Sequence, residues 1–322
     1  MRLNRKPRLR TLLKWILWVC IAQIILGNIS AAIYAYKFTH FFEKPGDWDV
    51  AHPKNMFDKT WKLFKGPSFG KNENDPLPDF SFKNINFTIK EGNKIDVWES
   101  TVPNPKGTVC LFHGLTSSKA YYLPEAKFFR EHGYNVLLLD FRGHGKSEGM
   151  KTTIGYKEAE EVKLAYEYLK TKGERRIFLF GGSMGAVTIT RAVSVYNLKP
   201  SGVILEMPFD GLFDHIKARG RSFGFPQTMF AIPVTSWIAL ENSFPAFKHK
   251  TSEYAKKIDC PVLLEWGTND HLVMEKETTN IFNNLRSKNK KLVVYEEAVH
   301  SSFFRQDPVK WQKEIEQFLQ IN

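Results

Sequence analysis

"RRIFLFGGSMGAVTITRAV", residues 175–193, is the stretch that decides the fold and points toward a chemistry. A strand-forming apolar run at 177–180 ends in a glycine-rich turn, and the helix-forming "AVTITRAV" follows the turn directly. Glycine weakens both strands and helices, so its repeated use around one serine indicates a constraint on the backbone. A Gly-X-Ser-X-Gly turn between a strand and a helix holds its serine out on a sharp bend. The sequence therefore predicts Ser183 as a nucleophile, with Gly181 and Gly185 permitting the turn.

Two further residues supply the groups that a serine nucleophile requires. A serine hydroxyl needs a base, and that base needs a carboxylate to orient it. Asp270 follows one apolar run and His300 follows the next, each where a loop begins. Such positions gather at the carboxyl edge of a parallel sheet, beside the Ser183 turn. We expect Asp270 to orient His300 and His300 to accept the proton of Ser183; Asp210, after the preceding strand, is the alternative acid.

A second turn lies in "TVCLFHGLTSS", residues 108–118. Gly114 lets the chain bend there, so that the backbone N–H of Leu115 can lie beside that of Met184, at the start of the helix after the nucleophile. Two such donors form an oxyanion hole for the intermediate of acyl transfer. We expect His113 to shape this loop and not to act as a base.

Apolar runs and helical patterns alternate along the chain from residue 80 onward. Two runs, 80–89 and 94–101, flank the turn "KEGN" and predict a hairpin. Continuous apolar runs, typical of strands buried on both faces, follow at 108–114, 134–143, 176–182, 202–208, 260–270 and 291–300. Helical spacing is clearest in residues 156–173. This alternation predicts an α/β fold with a doubly wound, mainly parallel sheet.

The interval after the strand at 202–208 is longer than a single crossover helix requires. It carries eight irregularly spaced Phe and Trp residues: Phe209, Phe213, Phe223, Phe225, Phe230, Trp237, Phe244 and Phe247. We expect a short helical cap over about residues 209–257. Two interpretations of its aromatic residues stay open: they pack on one another, or they line an apolar pocket over the nucleophile.

Five motifs occur in a fixed order along the chain: "FHGLTSS", "LLLDFRGHGKSEG", "GGSMG", "GTND" and, near the C-terminus, "AVH". Together they resemble the α/β-hydrolase superfamily, in particular its monoacylglycerol-lipase-like and serine-aminopeptidase-like members. The resemblance covers about residues 80–322 and implies the α/β-hydrolase fold. It also implies a Ser-His-Asp hydrolase of esters, thioesters or small amides that needs no cofactor, with Ser183, His300 and Asp270 as its triad.

Two residues beside the serine differ from many members of this family. Gly182 stands where many relatives have histidine, and Ala186 where many have a second glycine. We expect both to change the shape of the pocket and to leave the catalytic groups alone. Relatives with an aspartate nucleophile share the fold, but Ser183 argues against their chemistry. In "DFRGHGKSEG" the resemblance implies structural and not catalytic roles for Asp140, Arg142, Gly143, His144, Gly145 and Ser147.

The N-terminus joins a basic cluster to a long apolar run. Residues 1–14 contain Lys and Arg but no acidic residue, and we expect them to form a basic cytoplasmic tail. Residues 15–36 carry no charge and are long enough to cross a hydrocarbon core of about 30 Å as a single transmembrane anchor. Residues 37–78, rich in Pro, Gly and Asn, predict a stalk, and 79–322 the hydrolase domain. The excess of positive charge before the anchor predicts an extracytoplasmic domain, periplasmic in a bacterium.

A cleavable signal peptide is the alternative interpretation of this segment. Ala31, Ala32 and Ala35 are small residues of the kind found at cleavage sites, and they follow the apolar run. The run is longer than a typical signal core, and Tyr34 and Tyr36 crowd the candidate site. We therefore expect an anchor that is retained.

The remaining composition argues against several classes of protein. Half of the formal net charge of +12 lies in the N-terminal tail, the rest is diffuse and no basic helix carries it, so we expect no nucleic-acid partner. No Cys or His cluster has metal-ligand spacing, so we expect no metal. Cys110 and Cys260 fit as buried apolar residues, and a disulfide between them stays open only if their strands are neighbours.

The function predicted from the sequence is a membrane-anchored serine hydrolase that cleaves carboxylic esters with an apolar, lipid-like acyl part. One alternative is an aminopeptidase-like amide hydrolase, which would need a carboxylate in or near the cap to hold a free amine. A non-catalytic binding protein of the same fold is the alternative from another class. The candidate amine-holding carboxylates are Glu206, Asp210, Asp214, Glu241 and Glu253.

Overall fold

The computed structural model describes residues 6–43, 55–72 and 76–321. Its strands are β1 (Phe41–Phe42), β2 (Phe69–Gly70), β3 (Lys83–Thr88), β4 (Lys94–Ser100), β5 (Thr108–Phe112), β6 (Asn135–Leu139), β7 (Ile177–Gly182), β8 (Gly202–Glu206), β9 (Val262–Gly267) and β10 (Lys290–Tyr295). Its α-helices are α1 (Lys6–Thr39), α2 (Met56–Lys65), α3 (Leu123–Glu131), α4 (Ala159–Thr171), α5 (Met184–Tyr196), α6 (Leu212–Ser222), α7 (Gln227–Asn242), α8 (Thr251–Ala255), α9 (Glu275–Asn284), α10 (Phe303–Gln306) and α11 (Pro308–Ile321). Short 3₁₀ helices cover Lys119–Tyr122 and Ala246–Lys248.

Eight of the strands form one sheet, in the order β3-β4-β6-β5-β7-β8-β9-β10. Strand β4 is antiparallel to both of its neighbours, and the six strands β5 to β10 run parallel to one another. This arrangement confirms the predicted doubly wound, mainly parallel sheet, and β3 and β4 form the predicted hairpin. Strand β7 ends with its apolar run, at Gly182. Every other parallel strand ends before its apolar run does, because the last residues of the run already belong to the loop at the carboxyl edge.

Two apolar layers enclose the sheet. Val162 of α4 and Val187 of α5 share one buried cluster, on the face that α8 and α9 also cover. Phe129 of α3 and Trp311 of α11 belong to the cluster on the opposite face. All residues of β5, β7, β8 and β9 are buried, as their continuous apolar sequences predict. Cys110 on β5 and Cys260, two residues before β9, are free thiols, because two strands separate β5 from β9.

Helices α6, α7 and α8 lie in the interval where the sequence predicts a cap. Most of its aromatic residues pack on one another: Phe213 lies against Phe247, with ring centroids 5.5 Å apart, and Phe223 against Phe230 at 6.1 Å. Of the eight aromatic residues, all of them described, only Phe209 lines the cavity above Ser183. The first of the two interpretations therefore describes the cap, with Phe209 as the exception.

The N-terminal helix α1 is longer than the predicted anchor. Its portion Leu9–Thr39, 31 residues, is long and apolar enough to cross a membrane. Residues 9–29 are almost entirely exposed, whereas Ala31, Tyr34, Ala35 and Phe38 are buried at helical spacing. The ring of Tyr34 meets Phe230 of the cap edge to face, 5.1 Å away. The end of α1 thus packs against the α/β domain.

The segment after α1 also differs from the expected stalk. The backbone N–H of Phe41 donates to the carbonyl of Met150 at 2.9 Å, β1 pairs with β2, and α2 contacts α1. The described parts of 37–78 therefore pack against the domain. Composition could not reveal this, since a stripe of apolar residues that faces protein is invisible inside an uninterrupted apolar run. Residues 44–54 and 73–75 of the expected stalk lie outside the described residues.

Candidate active site

Ser183 sits on a sharp turn between β7 and α5. Its φ of +51° lies in the left-handed region, which non-glycine residues seldom adopt, and its backbone N–H donates to the carbonyl of Glu206 at 2.9 Å. A Cβ at Gly185 would lie 2.1 Å from the carbonyl oxygen of Phe112, and one at Gly181 would lie 2.8 Å from the carbonyl carbon of Gly185. Both positions therefore require glycine. Backbone strain of this kind is typical of functional turns.

The structure brings Ser183, His300 and Asp270 together at the carboxyl edge of the sheet. The Nε2 atom of His300 lies 2.8 Å from Ser183 Oγ, and its Nδ1 atom lies 2.7 Å from Asp270 Oδ2. The other carboxylate oxygen of Asp270 accepts the backbone N–H groups of Leu272 and Val273 at 2.8 and 2.9 Å. These bonds fix the Asp270 carboxylate, so that His300 carries its proton on Nδ1 and turns a free Nε2 toward the serine.

Asp210, the alternative acid, is engaged elsewhere. One of its carboxylate oxygens accepts the N–H of Ser252 at 2.9 Å, and the other accepts the amide of Asn280 at 2.7 Å. Asp210 thereby ties the start of the cap to α8 and α9. Asp270, and not Asp210, contacts the imidazole.

The two predicted oxyanion-hole residues lie on the same cavity as Ser183. Met184 is the first residue of α5. Leu115 follows Gly114, and a Cβ added to Gly114 would lie 3.6 Å from the Cβ of Ser183. Neither backbone N–H, of Leu115 or of Met184, donates to any residue within the described ranges. Both donors are thus available to an oxyanion.

The histidines of the flanking loops have structural partners. His113 donates from Nδ1 to the carbonyl of Gly114 at 2.7 Å and accepts the N–H of Phe141 on Nε2 at 3.1 Å. His144 donates from Nδ1 to the carbonyl of Arg142 at 2.9 Å. Burial lowers the pKa of both imidazoles, to about 3 for His144, so both are neutral. Their bonds shape the loops around the site, as the sequence predicts.

Tyr122 gives a physical reason for the glycine at 182, where many relatives have histidine. A Cβ at Gly182 would lie 2.0 Å from the hydroxyl oxygen of Tyr122, which is buried against Phe180 at 5.0 Å between ring centroids. Tyr122 therefore occupies the space that a side chain at 182 would need. Sequence reasoning missed Tyr122, because nothing in the local sequence links it to the turn.

Three buried carboxyl groups have their partners on the side of the sheet that α3 and α11 cover. Glu206 accepts the indole N–H of Trp311 at 2.8 Å, and Glu265 accepts the hydroxyl of Tyr295 at 2.6 Å, while Glu125 accepts the hydroxyl of Ser302. Burial raises the pKa of all three groups, to about 8 for Glu265 and to about 7 for Glu125. The pKa of Glu206 rises well above its usual range, because the charges of Glu265 and Glu125 add to the effect of burial. Glu206 is therefore neutral near pH 7.

The cavity above Ser183 has a volume of about 360 Å³, near the lower end for small-molecule sites. Two side chains of cap helix α6, His215 and Arg219, line it in addition to the predicted residues. Sequence reasoning missed both, since "HIKARGRS" reads as an ordinary amphipathic helix. The direction in which a cap helix faces is decided by tertiary packing, and the local pattern does not contain it.

The sequence and fold of this chain match a known protein family. The family model described as "Serine aminopeptidase, S33" matches residues 103–219 and 239–307, more than half of the chain. Between these two segments the family model does not match residues 220–238, which comprise the end of α6 and most of α7.

Two of the similar proteins are named as a lipase and an esterase. Lysophosphatidylserine lipase ABHD12 of Danio rerio is 23% identical over 277 residues, which cover 83% of this chain and 70% of the relative. Protein bem46 of Schizosaccharomyces pombe is 24% identical over 286 residues, 86% of each chain. The solved structure of the Pyrococcus furiosus esterase Pf2001 superposes with a TM-score of 0.67 and 26% identity, covering 78% of this chain and 96% of the esterase. This chain belongs to the serine aminopeptidase S33 family of α/β hydrolases.

Proposed function

We propose that this protein is a membrane-anchored serine hydrolase that cleaves carboxylic esters with an apolar acyl part. The observation that carries the proposal is the unbroken hydrogen-bonded chain from Asp270 through His300 to Ser183, at the floor of a cavity. Relatives named as a lipase and an esterase support the choice of an ester bond.

In the first half of the reaction, Ser183 Oγ attacks the ester carbonyl while His300 Nε2 takes the hydroxyl proton. The negative charge that develops on the carbonyl oxygen meets the N–H groups of Leu115 and Met184. A preorganised donor of this kind typically contributes about 2.7 to 4 kcal/mol of transition-state stabilisation. The imidazolium, held by Asp270, then gives its proton to the leaving alcohol, and Ser183 retains the acyl group.

Hydrolysis of the acyl-enzyme repeats the same steps with water as the nucleophile. His300 takes a proton from the water, the tetrahedral intermediate forms again in the oxyanion hole, and Ser183 leaves with the proton returned by His300. The products are the carboxylic acid and the free enzyme. No group other than these side chains and backbone donors is required.

The amide-hydrolase alternative needs a carboxylate on the cavity to bind a free amine. None of the five candidates, all within the described ranges, lines it. Glu206 and Asp210 make internal hydrogen bonds, and ion pairs with lysine hold Asp214 at 2.5 Å and Glu253 at 2.8 Å. The cavity instead carries an arginine, which repels an ammonium group. These contacts favour esters over aminoacyl amides.

A matched substrate pair tests the choice between ester and amide. The full chain in detergent is given nitrophenyl esters of increasing acyl length and the aminoacyl nitroanilides that an aminopeptidase cleaves. We expect ester turnover, with kcat/KM rising from acetyl to longer acyl groups, and no turnover of the amides. A higher kcat/KM for the aminoacyl amides would instead support the aminopeptidase-like alternative.

We further propose that α1 anchors the enzyme with its domain outside the cytoplasm. A spanning helix needs about 20 apolar residues, and the uncharged interval lies between Lys14 and Lys37. Since Tyr34 in this interval packs on the cap, the cap would lie at the outer surface of the bilayer. Met229 and Ile232 of α7 are exposed and apolar, which suits contact with that surface.

Topology is tested with an epitope tag at each end of the full chain, in spheroplasts treated with protease. The basic tail predicts that the N-terminal tag stays protected, whereas the C-terminal tag is removed. Detergent should expose both tags, which serves as the control. Protection of the C-terminal tag until detergent is added would place the domain in the cytoplasm and contradict the proposal.

A further inference from the structure

Two side chains of cap helix α6, one cationic and one ionisable, line the cavity above the nucleophile. His215 and Arg219, one helical turn apart, line the same cavity as Ser183 and His300. Among the described residues that line this cavity, none is an aspartate or a glutamate. The cavity therefore carries a permanent positive charge that its own walls do not balance.

Arg219 is partly buried and lacks the ionic partners that such an arginine ordinarily has. Within the described ranges, no carboxylate lies within 4.0 Å of its guanidinium, and its Nε is buried without a hydrogen-bond partner. The guanidinium carbon of Arg219 lies 5.8 Å from the centre of the Phe38 ring. Arginine does not lose its proton in proteins, even though burial lowers the pKa of Arg219. Removing part of a cation from water without a counter-ion is costly, so this arrangement points to a ligand.

His215 is the second unsatisfied group. It is 3% exposed, and both ring nitrogens are buried without a hydrogen-bond partner. Its ring stacks on Phe209, 4.7 Å away between centroids, which fixes its plane. Burial, together with the charges of Arg219 and His300, lowers the pKa of His215 well below its usual value. A neutral imidazole of this kind still offers one N–H donor.

The carboxylates nearest in the fold do not compete for Arg219. Asp214 of the same helix is paired with Lys217 at 2.5 Å, and Asp270 is bonded to His300. The guanidinium is a planar fork of donors that matches the oxygens of a carboxylate or phosphate. Its position on the cavity wall lets it reach a group attached to the molecule whose ester bond lies at Ser183.

We propose that Arg219 and His215 form an anion subsite, and that the substrate is an ester bearing a phosphate or carboxylate group on the same molecule as its acyl chain. The inference rests on the proposed ester hydrolysis for the identity of the substrate. Binding of the anion itself requires no turnover, so the two can fail separately.

The first experiment compares two esters that differ only in one phosphate group: monododecanoylglycerol and its phosphate monoester. The measured quantity is the ratio of kcat/KM for the phosphate ester over the neutral ester. Arg219→Gln should lower this ratio about 10- to 100-fold, the range expected for a lost hydrogen bond to a charged group. Arg219→Lys should lower it less, because it keeps the charge but loses the fork.

Arg221→Gln is the matched control for this comparison. Arg221 lies on the same helix, donates to the carbonyl of His271 at 3.0 Å, and does not line the cavity. Its variant should keep the wild-type ratio. If Arg219→Gln does not fold, as judged by circular dichroism, His215→Phe keeps the ring that stacks on Phe209 and should still lower the ratio. An unchanged ratio in every folded Arg219 and His215 variant overturns the proposal.

A binding experiment separates the subsite from catalysis. Calorimetry on the full-length Ser183→Ala protein should detect monododecyl phosphate, with a Kd raised about 10-fold or more when Arg219→Gln is added. If the wild type hydrolyses neither ester but this dependence holds, the proposed function fails and the subsite stands. Binding that is unaffected by Arg219→Gln overturns the subsite. Inorganic phosphate that binds as tightly as the alkyl phosphate would show a site for free anions and overturn the claim of a substrate-borne group.

Discussion

Ser183→Ala is expected to lower kcat for ester hydrolysis by about a millionfold, the cost typical of removing a triad nucleophile. The serine oxygen forms the acyl bond, and no other hydroxyl among the described residues hydrogen-bonds to His300. The structure also predicts that folding survives, since alanine removes one oxygen and leaves the turn unchanged. Steady-state kinetics together with thermal melting would show both effects.

Ser222→Ala is the matched control for this variant. Ser222 lies on α6, bonds to the carbonyl of Ala218 at 3.1 Å, and stays outside the cavity. Its activity should equal that of the wild type. A folded Ser183→Ala protein that retains more than about a hundredth of the wild-type kcat would remove Ser183 from the mechanism.

The second large effect is expected for Asp270→Asn, a loss of about 10,000-fold in kcat. The asparagine side chain keeps the shape of Asp270, but its amide can donate to His300 Nδ1 and so favours the wrong tautomer. The imidazole would then present an N–H, and not a lone pair, to Ser183. The pH dependence and magnitude of kcat for this variant measure the contribution of Asp270 directly.

Asp210→Asn provides the comparison, because it makes the same chemical change at the alternative acid. Its hydrogen bonds hold Ser252 and Asn280, so the variant should lose stability, by about 1 to 3 kcal/mol, with little loss of turnover. A ten-thousandfold loss of kcat in Asp210→Asn, with Asp270→Asn nearly active, would reverse the two roles.

The sequence was sufficient for features that depend on local pattern. A glycine-flanked serine between a strand and a helix, and polar residues at the ends of apolar runs, place Ser183, Asp270 and His300 at one sheet edge once the strands are known to be parallel. The strand positions and the hairpin followed from apolar continuity and alternation in the same way.

Features that depend on packing between distant segments could not be predicted. Tyr34 and Phe38 lie in an apolar run whose composition suits contact with lipid as well as with protein. The packing of α1 on the cap therefore appeared only in the structure. Tyr122 meets Gly182 across 60 positions of sequence, and Arg219 faces the cavity because α6 packs one way and not the other. Nothing in a single sequence encodes these encounters as a motif.

The most direct test of the proposed mechanism is to locate the covalent adduct of a fluorophosphonate on the full-length protein by peptide mass spectrometry. Such probes react with a serine that a neighbouring base activates, as His300 is placed to do for Ser183. We expect a single adduct, on Ser183, that is absent in Ser183→Ala and forms in much lower yield in Asp270→Asn. An adduct on another residue, or ester hydrolysis by a protein in which Ser183 stays unlabelled, would contradict the proposed mechanism.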